Sequence, residues 1–72
     1  RLPLGSLPAG VRNRFPGIAF STHIYAEDPT LRAIVANGER LQEGDRVRDM
    51  LIREITEDGV VLEFENYLVE VP

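Results

Sequence analysis

His23 is the only side chain in this sequence suited to proton transfer near neutral pH, and Ser21 stands two positions before it. On an extended strand that spacing puts both on one face, with Asp28 or Glu27 in the following turn placed to orient the imidazole as the acid of a hydrolytic triad. A triad also needs a glycine-rich oxyanion loop or a strained nucleophile turn, and the sequence has neither, so His23 reads as a surface histidine on a sheet face. A metal centre would have to draw all its other ligands from carboxylates, because there is no cysteine and no second histidine. Neither the Asp-x-Asp-x-Asp-Gly spacing of a calcium loop nor a phosphate-binding glycine motif occurs. The acid pairs Glu27-Asp28, Glu57-Asp58 and Glu63 with Glu65 read as solvated charges on turns and outer faces. No catalytic residue, metal or other cofactor is expected.

The elements that carry these residues are strands, because the punctuation between them is that of β-turns. Asn37-Gly38 is a hairpin signal, since both residues tolerate the positive φ of a type I′ turn. Glu43-Gly44-Asp45 turns the chain again six residues later, leaving only a short strand over 40–42. Glu57-Asp58-Gly59 introduces a strand over 60–65, and Glu65-Asn66 makes the last tight turn before Tyr67, Val69 and Val71. The first strand is expected over 18–25, with Ile18, Phe20, Thr22 and Ile24 on one face and Ala19, Ser21, His23 and Tyr25 on the other. A second runs over 31–36 after the Glu27-Asp28-Pro29-Thr30 turn. The longest is expected over 46–55, with a bulge or sheet crossing where Met50, Leu51 and Ile52 break the alternation. The fold class is all-β, a small six-stranded antiparallel sandwich or half-barrel with a short N-terminal helical turn. That turn falls over 8–14, where Leu7, Val11 and Phe15 recur every fourth residue between Pro8 and Pro16. Residues 1–17, with three prolines and three glycines, divide off as the end of a linker, and 18–72 as the β domain.

With 72 residues and no cysteine, a single domain must fold on a small hydrophobic core without disulfides. All twelve carboxylates lie within 27–72 against five arginines, and the net charge is −4. An acidic body repels phosphate backbones, so nucleic acid is not an expected partner. No apolar run is long enough to cross a membrane, and a chain opening on Arg1 is expected of a domain cut from a longer protein. What remains is interaction by sheet. The first strand offers a surface that is small, polar and aromatic rather than charged, and Ser21, Thr22, His23, Ile24 and Tyr25 are the candidate partner-binding residues, through strand addition or side-by-side packing. The same surface would allow a weak homodimer.

Taken in order, the chain resembles a known family. The residues that carry the resemblance are Val11-Arg12 and Phe15-Pro16; the strand from Ile18-Ala19-Phe20 through Ser21-Thr22-His23-Ile24-Tyr25; Glu27-Asp28-Pro29; Val35-Ala36-Asn37-Gly38; Leu41-Gln42-Glu43-Gly44-Asp45; and Ile55-Thr56-Glu57-Asp58-Gly59-Val60-Val61-Leu62-Glu63-Phe64. Together they resemble the C-terminal periplasmic domain of general secretion pathway protein B, from bacterial type II secretion systems. The resemblance implies a fold similar to the homology-region domain of the system's protein C and to PilP-type pilus-assembly proteins. It implies a parent anchored in the inner membrane, a periplasmic location, and non-enzymatic scaffolding through the N-terminal periplasmic domain of the outer-membrane secretin. One departure is Asp49-Met50, where the family pattern leads one to expect a turn containing glycine or proline. The alternatives are a PilP-type domain serving a type IV pilus secretin, and a small-barrel ligand or nucleic-acid binder.

Overall fold

The computed structural model describes residues 1–72 and folds them into two sheets with one short helix. The strands are β1 (Leu2–Pro3), β2 (Phe20–Ile24), β3 (Ala33–Ala36), β4 (Glu39–Leu41), β5 (Arg46–Val47), β6 (Met50–Ile55), β7 (Val60–Phe64) and β8 (Tyr67–Val71), and the helix α1 is Ala9–Arg14. One sheet has the order β1-β8-β7-β6-β5, the other β2-β3-β4. The fold is thus all-β, with eight strands where the sequence suggests six. One addition is β1. It lies parallel to β8, Leu2 opposite Val69 and Pro3 opposite Glu70, so the large sheet is not wholly antiparallel. The other addition arises because the stretch over 46–55 folds back on itself, Val47 opposite Met50. Arg48 makes that turn at φ 53°, a left-handed conformation more often given to glycine, which is why no turn residue announces it. The irregularity in the long strand falls at Arg53, between Ile52 and Glu54, rather than at residues 50–52.

Other turns form as their residues dictate. Asn37 and Gly38 both take positive φ (53° and 82°) in the β3–β4 hairpin, and Glu65 and Asn66 do so (49° and 68°) between β7 and β8. Gly59 ends the β6–β7 connection for a different reason. A Cβ there would collide with the Val71 carbonyl oxygen and stand 2.8 Å from the Pro72 Cα, so a side chain is excluded by close backbone approach.

The core lies between the sheets. Ile34, Ala36 and Leu41 from the small sheet meet Val47, Met50, Ile52, Ile55, Val60, Leu62, Phe64 and Val69 from the large one. Residues 1–17 contribute to the same core: Leu7 and Val11 are buried in it, and the Phe15 ring packs edge-on against Phe64 with centroids 5.3 Å apart. Arg14 clips this segment to the last turn by a two-pronged bond to Glu65, Nη2 to Oε1 at 2.7 Å and Nε to Oε2 at 2.9 Å. On the outer side of the large sheet Val61 is also buried. Its cross-strand neighbours Glu54 and Glu70 both pair with the Arg1 guanidinium, which spans it. No helix is long and apolar enough to cross a membrane.

Candidate functional site

Four of the five candidate residues sit on β2, whose aromatic and β-branched residues Phe20, Thr22 and Ile24 favour extended backbone. Strand β2 pairs with β3 on one side only, so its other edge carries unsatisfied backbone donors and acceptors. It is the longest such edge. The margins of the large sheet, β1 and β5, are two residues each, and the opposite margin of the small sheet, β4, is three. Sheet edges are commonly blunted with charge, proline or a bulge; Phe20–Ile24 has no charge or proline, and its one bulge, at Ser21, leaves Thr22, His23 and Ile24 in regular register.

Register corrects the expected faces. Phe20 lies opposite Ala36 and Thr22 opposite Val35, leaving Ser21 as an extra residue in a bulge. Beyond the bulge the alternation is inverted. His23, opposite the core residue Ile34, shares the inward side with Phe20, while Thr22 and Ile24 face outward. His23 is therefore still an exposed, surface histidine, but it lies on the inward-facing side of β2 rather than on its outer face. Its Nε2–H donates to the carbonyl oxygens of Thr56 (2.8 Å) and Gly59 (3.2 Å), bridging β2 to the β6–β7 turn of the other sheet. Two carbonyl acceptors require the proton to be on Nε2. Ser21 and His23 no longer share a face, and the Ser21 hydroxyl makes only a long 3.5 Å contact to the Val35 carbonyl. Asp28 is occupied elsewhere: its Oδ1 accepts from the Thr30 amide (3.0 Å) and hydroxyl (2.8 Å), capping a 3₁₀ turn over Pro29–Leu31. Those bonds, the hydroxyl's first, hold its carboxyl below the ordinary aspartate pKa. Serine, histidine and acid are thus not assembled into a triad.

Tyr25 follows β2 and is organised by a residue the sequence reading did not single out. The Arg32 guanidinium stacks 4.7 Å from the Tyr25 ring centroid and donates from Nη2 to its hydroxyl at 3.3 Å. It also donates from Nε to the Ala26 carbonyl (2.7 Å) and from Nη2 to that of Glu27 (3.2 Å), fixing the backbone after β2. From Nη1 it bonds Glu43 Oε2 at 3.0 Å, the same oxygen that accepts from the Ile55 amide at 2.8 Å. The hydrogen bond to Glu43 is the main reason the Arg32 pKa is raised. Leu31 was also missed. Counted with the second strand, it belongs instead to the capped turn and is 60 % exposed. The signal was Asp28-Pro29, an N-cap followed by a residue with preset φ.

Geometry thus gathers Ser21, Thr22, His23, Ile24 and Tyr25 on one open edge and its end, with an inward anchor at His23 and an outward, uncharged flank. Comparison with known proteins gives that edge a context. Two relatives are both called general secretion pathway protein B. The one from Aeromonas hydrophila is 29% identical over 63 residues, 86% of this chain and 28% of that protein. The one from Dickeya dadantii (strain 3937) is 42% identical over 52 residues, 71% of this chain and 24% of that protein. The chain therefore spans about a quarter of the length of the curated relatives it matches. No solved structure gives a significant match. The family model described as type II secretion system protein B matches residues 15–72, which include every strand except β1. A match over most of the chain, starting where Phe15 meets Phe64, shows that the chain belongs to the type II secretion system protein B family.

Proposed function

We propose that this domain is a non-enzymatic docking module of the type II secretion apparatus, binding the N-terminal periplasmic domain of the outer-membrane secretin by accepting a strand at β2. In this reading the domain works in the periplasm, its parent is held in the inner membrane, and its task is to assemble or place the channel. One observation carries it: the longest open edge of either sheet is free of charge and proline, in a member of a secretion-system family. A partner strand laid there would bond to backbone of β2 and select through Thr22 and Ile24, which face outward.

The test is a two-dimensional NMR titration of the domain with the secretin's N-terminal domain at near-physiological salt. Shift changes concentrated over residues 20–25 are the expected result. Changes confined to the large sheet would keep the partner and remove the edge from the proposal. An unchanged spectrum at high partner concentration would overturn secretin docking by this domain.

A further inference from the structure

Three of the four large hydrophobic side chains that the fold leaves exposed belong to one end of the open edge. Ile24 (41 %) closes β2, Tyr25 (38 %) follows it, and Leu31 (60 %) stands in the turn that leads into β3. The fourth, Leu68, is on the other sheet. Backbone pairing alone would not need these side chains. They are nonetheless held ready, because Arg32 stacks on Tyr25 and bonds the carbonyls of Ala26 and Glu27, while the Asp28 cap fixes the turn bearing Leu31. Preset apolar side chains lose less conformational freedom on binding than mobile ones.

Apart from Arg32, which is paired with Glu43, the charge flanking the two ends of β2 is acidic. Glu27 and Asp28 follow Tyr25, and the turn held by His23 between Thr56 and Gly59 carries Glu57 and Asp58. None of these four forms an ion pair: the arginines that do pair are spent on Glu43, Glu54, Glu63, Glu65 and Glu70. Strand β2 itself is uncharged, so the edge is a neutral track with acidic ground near both the His23 anchor and the Tyr25 end.

We infer that the occupant of the β2 edge is an extended segment of a partner protein that sets apolar side chains against Ile24, Tyr25 and Leu31 and carries lysine or arginine beyond the paired residues. This rests on the docking reading above and specifies the chemistry of the partner. Leu31, the most exposed of the three, adds to the selection made through Thr22 and Ile24. Complementary charge on the rim speeds encounter and makes association sensitive to salt.

The experiment uses the 72-residue domain and three probes: two synthetic strand peptides sharing an alternating valine–threonine centre, one ending in lysines and one in glutamates, and the secretin's N-terminal domain. The lysine peptide is expected to shift resonances over residues 20–31 and to bind about tenfold tighter than the glutamate peptide. Leu31→Ser is expected to weaken it about tenfold through the lost apolar contact, with an unchanged denaturation midpoint because Leu31 is exposed. Equal affinity for the two peptides, or no effect of Leu31→Ser on the lysine peptide, overturns the inference. Should the secretin domain bind while the peptides fail to discriminate, docking stands and this inference falls. Should the peptides behave as expected while the secretin domain does not bind, the edge chemistry stands and the choice of partner falls.

Discussion

A single imidazole nitrogen joins the two sheets of this molecule beside its open edge, and that role differs from the one a lone histidine invites. Because His23 Nε2–H is shared by the carbonyls of Thr56 and Gly59, its removal should be read in stability. His23→Ala is expected to lower unfolding free energy by about 1 kcal/mol, the net worth of one hydrogen bond, measurable by urea denaturation. The same variant is expected to loosen β2, so its amides should exchange faster than those of β7. Unchanged stability and exchange would mean that the bridge contributes nothing. Ser21 shows the same logic from the other side. As the extra residue of a bulge it turns the strand over, and it is this inversion that takes His23 inward.

At the scale of elements, most turns were legible, while the irregularities were legible only in the long strand, where a bulge was expected and one falls at Arg53. Asn37-Gly38 and Glu65-Asn66 announced their hairpins because few residues accept positive φ, so residue type and conformation are tightly linked. Arg48 breaks that link, adopting the same conformation without a telltale side chain, and the β5–β6 hairpin was read as one strand. The bulge at Ser21 was hidden for a related reason: alternation assigns faces only when register is continuous, and one extra residue inverts everything after it. Residues 21–25 stand out in the sequence by their lack of charge, and the structure sets them along and just beyond an open sheet edge, whereas Leu31 and Arg32 acquire their positions from a capped turn that pattern alone assigned to a strand. Two such local devices predict the acid response. Asp28 bonded to Thr30 and Glu65 paired with Arg14 both have carboxyl pKa values below their ordinary ones. A group so depressed stabilises the fold fully above its unfolded pKa, and that contribution is lost as pH falls through the folded one. Stability is therefore expected to decline on acidification below the ordinary carboxylate range, and Glu65→Gln to flatten the decline in a thermal melt series. An identical pH profile for the variant would show the clip to be energetically silent.

For the molecule as a whole, a 72-residue chain without cross-links has little stability to spare, so each buried side chain matters. Leu7 and Val11 lie ahead of the residues matched by the family model, yet they complete the core. Leu7→Ala is expected to lower unfolding free energy by about 2–4 kcal/mol, read by chemical denaturation. A loss below about 0.5 kcal/mol would instead mark the leading segment as a loose attachment, in the range of ordinary surface substitutions. Its attachment has a mechanical side. Strand β1 runs parallel to β8, so tension applied between the two ends of the chain slides the pair lengthwise and loads its bonds simultaneously instead of peeling them in turn. Under a steady pull the leading segment would hold until that short pair gives way together, and would then expose the apolar seat of Leu7 and Val11 in one step rather than by gradual fraying.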